Sequence, residues 1–405
     1  MINPDEALHT VLKNISPLSP IKISISEALG YRLSEEIQAP RNFPPFDRSM
    51  MDGFAVCLGT MSGRYRRIGV LKAGETWSAP LEPGDCLEIM TGAPCPLGTD
   101  LVFPYEDVDT DGVWMTPPQN YELGQYIAKS GSECRKGDVV LHKGTVVTPL
   151  IIAILASFGQ TEVSIIPPPN ISIIVTGREI VREGSRLGGS QIHDANGPML
   201  MAMASMLGVT KITAMSADDD LCSLTEALDQ SEKADLILVT GGVSEGLFDL
   251  VPTALESNGA KVLFHKVSQK PGKPFLFARK ENRLYFGLPG NPLSAHLCFH
   301  RYVAPVIRIM QGNTIPSARD QGIARITPNR SGRTRFDLAR AERIQGADQP
   351  FHLTVYEGLH SSDLFSVHKA NSVVCVPPIE DSNEEDDESK HWEFEWLESA
   401  RMEGM

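Results

Sequence analysis

The chain has 405 residues, 41% of them hydrophobic and 22% charged, and a formal net charge of −14. That length exceeds one ordinary core and suggests two to four domains of a soluble globular protein. A chain this acidic lacks the basic footprint of a nucleic-acid binder, and with no run of about 18 apolar residues no membrane span is expected.

The N-terminal "MINPDEALHTVLKNI" lacks the basic start and apolar core of a signal peptide. Its apolar spacing predicts a helix, with Asn3 or Asp5 able to cap it. "SISEALGYRLSEEI" opens with a Ser-x-x-Glu-like signal and predicts a second helix, broken by Pro40, Pro44 and Pro45. From about 41 to 145 short apolar segments alternate with Gly, Pro and Asp; "RRIGVLKAGE", "GDCLEIMTG" and "GVWMTP" read as strands of a β-rich unit. "TPLIIAILASFG" reads as a helix ended by Gly159.

Beyond "IPPPN" the texture changes. "ISIIV" is a continuous β-branched run, as in a strand buried on both faces. The helix "GPMLMAMASMLG" follows, its Met-rich face expected in the core. Strands "KITAMS", "LILVT", "KVLFH" and "RLYFGL" alternate with helices "LCSLTEALDQS" and "FDLVPTALESNG", and "NPLSAHLCFHRYVAPVIRIM" reads as a long closing helix. This alternation predicts a mainly parallel sheet with helices on both faces. From about 316, "FHLTVYEG" and "NSVVCVPP" indicate a small antiparallel β domain. The run "EDSNEEDDES" (380–389) holds seven acids and reads as a solvated loop or insert without a chemical role. Seven scattered cysteines with no Cys-x-x-Cys pair suggest reduced thiols and a cytoplasmic location.

Ligands of open α/β sheets sit beyond the carboxyl ends of the strands. Three segments there have unusual chemistry: "TGREI", "TGGVSEGLFD" and "KVSQKPGKPF". Glycines in the second let backbone N–H groups approach an oxyanion, and Lys266, Lys270 and Lys273 in the third supply charge for the same anion. A solvated lysine turn is the plainer alternative. Glu179, Asp219, Asp220 and Asp249 lie in or near these segments and suit Mg²⁺, although the aspartates at 218–220 equally suit a helix cap. "GVSEG" also fits Gly-x-Ser-x-Gly, from which Ser244, Asp249 and His265 sketch a triad, but the acid follows too closely for a separate strand end. "HLCFH" places two histidines four apart without the Glu of a metalloprotease, so ordinary side chains are expected.

Seven segments occur in series: "FDRSMMDGFAV", "IMTGAPCPLGTD", "TGREI", "SQIHDANGPML", "TGGVSEGLFD", "KPGKPF" and "GLPGNPLSA". Together they resemble the MoeA family of molybdopterin molybdenumtransferases and the E domain of gephyrin, from about residue 4 to 400. The resemblance implies a multi-domain α/β protein. Its domains would be a helical/β linking domain (1–40 and 135–167), a β-rich lid (41–134), a central three-layer α/β domain with a mainly parallel sheet of MogA/MoaB type (168–315), and a small β-barrel-like domain (316–405). It implies a homodimer that inserts molybdate into adenylylated molybdopterin with Mg²⁺-dependent loss of AMP. A MogA-type adenylyltransferase and molybdoenzyme acceptors are implied partners.

By the same resemblance Lys266, Lys270, Asp52, Glu179 and Glu133 would be catalytic. Thr91, Gly241, Gly242, Ser244, Lys273, Pro289, Pro292, Ser366 and Arg340 would bind substrate, Asp52 and Thr91 reaching across the dimer, and Asp219 and Asp249 would hold the metal. For Asp52, a turn acid beside Gly53 is the alternative. Departures from the family pattern are Arg178 within "TGREI", Ser132 within "KSGSEC" and Leu338 at a usual arginine, although Arg333, Arg335 and Arg340 lie close to it in "GRTRFDLAR". They motivate the alternative of a catalytically weakened relative acting as a molybdopterin-binding or scaffold protein.

Overall fold

The computed structural model describes residues 1–59, 63–243, 250–313, 319–344, 351–357, 360, 363–379, 390–398 and 400. The chain divides into two compact units: one of residues 1–21, 30–32 and 165–405, the other of 22–29 and 33–164.

The first unit is built on a six-stranded sheet in the order Ile212–Ala217, Ile171–Thr176, Leu236–Thr240, Arg283–Leu288, Leu276–Lys280, Lys261–His265. The first four strands are parallel, and Leu276–Lys280 runs antiparallel to both neighbours. Alternate side chains of Ile171–Thr176 enter two cores, as strand geometry requires. Ile171, Ile173 and Val175 pack with Leu200, Ala295, Phe299 and Tyr302, whereas Ile174 packs with Leu224, Leu228, Val251 and Leu255. Helices thus cover both faces, giving the expected three layers. Of the Met-rich helix Asn196–Met206, Met203 is buried and Met206 exposed.

The closing helical segment is Pro292–Cys298, a π turn Phe299–Val303, and Ala304–Met310. At the N-terminus Pro4–Lys13 is helical, with Asn3 Oδ1 accepting from Asp5 N. The second expected helix does not form: only the short 3-10 turn Ile25–Glu27 appears, followed by the strands Arg32–Leu33 and Ile37–Gln38. Gly30 at φ +83° takes the chain out of helical conformation at that point.

Past residue 319 five strands close into a barrel: Thr334–Arg343, Phe351–Val355, Asp320–Ile323, His391–Trp396 and Ser372–Val376, the last pairing back with the first. A short strand, Gln269–Lys270, pairs in parallel with Thr334 and Arg335. The acidic run 380–389 lies outside the described residues.

The second unit holds a six-stranded sheet in the order Leu101–Pro104, Gly53–Val56, Asp85–Ile89, Tyr65–Leu71, Trp114–Thr116, Asp109–Thr110. The helix Pro149–Ser157 is capped by Thr148 and buries only Leu155. Among the described residues no helix is long and apolar enough to cross a membrane.

Candidate active site

Three adjacent parallel strands end together, at Thr176, Thr240 and Leu288. The loops that follow them, with the lysine segment and one end of the barrel, line a cleft of about 1300 Å³. Every lining residue belongs to the first unit.

The floor depends on glycine. Gly241 has φ +94°, and a Cβ there would meet Thr176 Oγ1 at 2.5 Å and Thr176 O at 2.8 Å. The loop can therefore lie against the neighbouring strand end only without a side chain. Asn196, buried at the start of its helix, ties the loops together: its Nδ2 donates to Thr240 Oγ1 (2.8 Å) and Gly290 O (2.7 Å). Thr240 Oγ1 donates onward to Pro289 O at 3.2 Å.

The lysine turn is fixed from beneath. Gln269, 2% exposed, donates from Nε2 to Gly272 O at 3.2 Å and accepts at Oε1 from the Tyr302 hydroxyl at 2.5 Å. Gly272 sits at φ +89°, where a Cβ would lie 2.7 Å from Cys298 Sγ. Lys270 and Lys273 flank this turn and line the cleft. The barrel adds Arg335, on the strand Thr334–Arg343, and Arg333, just before it. Arg335 binds Asp337 at 2.6 Å and Glu357 at 3.4 Å. Burial pushes the Asp337 carboxyl up, against the pull of Arg335 and Lys270. Among the described residues no ion pair with a carboxylate is made by Lys270, Lys273 or Arg333, whose charge stays available to an anion.

Carboxylates share the cleft: Glu179, Asp194 and Asp219 line it. Asp220, not Asp219, caps the helix Leu221–Gln230 by accepting from Ser223 N at 2.9 Å. Among the described residues no group of three or more His, Cys, Asp or Glu is placed to hold a metal. Ser244 and Asp249 lie outside the described residues. His265 Nε2 donates to Val243 O at 2.9 Å, which occupies the nitrogen a hydrolase triad would need. Burial pushes the His296 imidazole down to about 4 and His300 lies 3.8 Å from Glu395; among the described residues neither belongs to a group of three or more possible metal ligands.

Residues 2–159 match the family model of the MoeA N-terminal region (domain I and II), and 172–309 that of a probable molybdopterin binding domain. The molybdopterin molybdenumtransferase of Staphylococcus epidermidis is 32% identical over 319 residues, 77% of this chain and 76% of that one. That of Staphylococcus aureus is 33% identical over 315 residues, 76% and 75% of the two chains. The chain belongs to the molybdopterin molybdenumtransferase family. A crystal structure of the molybdopterin biosynthesis MoeA protein from Pyrococcus horikoshii superposes with a TM-score of 0.81 at 26% identity, covering 98% of this chain and 99% of that one.

Of the residues singled out by resemblance to this transferase family, Glu179, Asp219, Gly241, Gly242, Lys270, Lys273, Pro289 and Pro292 line one cleft. Lys266 does not; it is half-buried at φ +77°, with its N–H donating to Phe275 O at 2.8 Å. Arg340 and Ser366 are also not among the lining residues. Arg340 is exposed and paired with Glu342 at 2.8 Å, and Ser366 Oγ donates to Asp363 Oδ2 at 2.8 Å. In the second unit Asp52 Oδ1 accepts from Thr91 N (2.6 Å) and Thr91 Oγ1 (2.7 Å), and these bonds hold its carboxyl below the usual range. Glu133 pairs with Arg48 at 2.9 Å. Of the departures, Leu338 lines the cleft, while Arg178 and Ser132 do not.

Asn196 was not singled out from the sequence, and Arg333 and Arg335 were noted beside Leu338 without being assigned to the site. Asn196 stood within "SQIHDANGPML", and the arginines had a signal in their Arg-x-Arg spacing.

Proposed function

We propose that the cleft binds molybdate and adenylylated molybdopterin, and that the chain transfers molybdenum to the pterin dithiolene with release of AMP in molybdenum cofactor biosynthesis. The observation supporting this most is that Lys270, Lys273, Arg333 and the Gly241–Gly242 loop face one cleft. Both substrates are anions, and bare amides together with cationic side chains are the groups that bind oxyanions. Holding two anions side by side overcomes their mutual repulsion and aligns the reacting atoms. The same cations would take up charge on the departing phosphate.

Glu179 and Asp219 are hard oxygen donors on this cleft, and Mg²⁺ needs only one or two carboxylates when phosphates and water complete its shell. These two residues fit the ion and would hold it, Asp249 being the further candidate. The ion would neutralise phosphate charge during loss of AMP.

A homodimer belongs to this reading. The helix Pro149–Ser157 is apolar yet leaves Leu150 78% exposed, an apolar face that suits a second copy. Asp52, Thr91 and Glu133 would then complete the partner's cleft. A MogA-type adenylyltransferase would supply the substrate and molybdoenzymes would accept the product. Seven unpaired cysteines agree with a cytoplasmic setting. The test is incubation of the purified chain with molybdate, Mg²⁺ and adenylylated molybdopterin. AMP release that depends on molybdate is expected; no AMP release would refute the reading.

A further inference from the structure

Phe365 is 90% exposed, the most exposed of the large apolar side chains among the described residues, yet it lines the cleft. Its position is held from several directions. Asp363 Oδ1 accepts from Phe365 N (3.1 Å) and Ser366 N (3.0 Å). His368 Nδ1 donates to Phe365 O at 2.9 Å. Two residues on, Val367 is buried against Leu293, Leu297 and Leu338, and the first two belong to the helix that follows the Pro289–Asn291 loop. Tyr356, His360 and Leu364 line the cleft with it. The cleft thus has two chemistries: cations and glycines, and a group of aromatic and apolar side chains. These bonds fix the backbone that carries the phenyl ring, so only side-chain freedom is lost when something flat covers it.

We propose that Phe365 is a positioning residue that stacks on a flat heterocycle of the substrate, pterin or adenine, while the lysines hold its phosphates. This rests on the anionic-substrate reading given above and adds the feature that reads the ring. It also separates Phe365 from its neighbour Ser366, which the family resemblance singles out but which is turned to Asp363.

The experiment is calorimetric titration of the full chain and of Phe365→Ala and Phe365→Trp with AMP, 6-methylpterin and inorganic pyrophosphate. Loss of a stacked ring weakens binding about fivefold or more. Phe365→Ala is expected to weaken AMP, 6-methylpterin or both by that amount, Phe365→Trp to retain them, and both variants to bind pyrophosphate as the parent does. A loss confined to AMP assigns the ring to adenine, and one confined to 6-methylpterin assigns it to the pterin. Unchanged affinity of Phe365→Ala for both ring compounds overturns the inference and leaves the anion reading standing. If the parent binds pyrophosphate but neither ring compound, the inference falls and the anion reading stands; if it binds none of the three, both fall. A pyrophosphate loss matching the ring-compound loss also overturns it, because the effect is then general.

Discussion

The Tyr302 hydroxyl donates to Gln269 Oε1 at 2.5 Å, and Gln269 donates in turn to Gly272 O at 3.2 Å. A phenol buried in the core of the α/β sheet thereby fixes the backbone between Lys270 and Lys273. The turn has no regular helix to hold it, since Pro271 prevents one. Its order comes from this buried chain of bonds, present before any anion arrives.

Tyr302→Phe removes the hydroxyl and leaves Gln269 Oε1 as a buried acceptor without that donor. Such a group costs about 1–3 kcal/mol. A lower melting temperature is expected, together with weaker molybdate binding although no charge has changed. Thermal unfolding and titration of the same preparation check this; unaltered molybdate affinity would show that the turn needs no support from Tyr302.

Gly241→Ala tests the cleft floor. The new Cβ meets both a φ of +94° and Thr176 at 2.5 Å, whereas Gly74, at φ +87°, has nothing within 4 Å. Both alanines bear a backbone penalty of about 1–3 kcal/mol. Only Gly241→Ala is expected to lose anion binding and to destabilise beyond that shared penalty. Equal effects in the two variants would mean that close approach at Gly241 does not matter.

His296 links stability to acid. Burial lowers its folded value to about 4 from the ordinary 6.5 of an exposed histidine. Between these values the unfolded chain binds more protons, so stability is fully present above about pH 6.5 and falls as pH drops toward 4, by a loss of about 3 kcal/mol. His296→Leu should flatten the fall in melting temperature between pH 6.5 and 4. Parallel curves for parent and variant would remove His296 as the cause.

The alternation of strand and helix beyond residue 170 was legible because buried parallel strands are written as unbroken β-branched runs such as "ISIIV". Leu276–Lys280 was not separated from its surroundings: "PFLFARKENRLYFGL" joins two antiparallel strands through a short polar turn that interrupts the apolar run only briefly. The helix expected over "SISEALGYRLSEEI" failed because helical spacing says nothing about the left-handed φ at Gly30. At the site, the lysines and glycines announced themselves by clustering. Lys266 shares their cluster but is not among the lining residues; its N–H donates to Phe275 O and its carbonyl accepts from Ile2 N. Phe365 had no local signal, since one aromatic in "SDLFSVHK" has no period, and only tertiary folding sets it at the cleft.

The proposed homodimer has a genetic test. Asp52→Ala and Lys270→Ala chains, each inactive alone, should regain part of the activity when mixed dimers form, because one cleft in each mixed dimer escapes both changes. Confirmed mixed dimers without any recovery would argue against a site shared between chains.

The central claim is that Lys270 and its neighbours bind oxyanions. Lys270→Gln keeps length and some hydrogen bonding but removes the charge. A charge-assisted contact contributes roughly 1.5–3 kcal/mol, or about ten- to more than a hundredfold in affinity. Lys270 is exposed, so its melting temperature should hardly change. Calorimetric titration of parent and Lys270→Gln with molybdate and with AMP, at two salt concentrations, is the most direct measurement. The account predicts weaker binding by the variant, and a larger salt-induced loss in the parent than in the variant. Equal affinities at both salt concentrations would contradict it and return the lysine turn to an ordinary solvated surface.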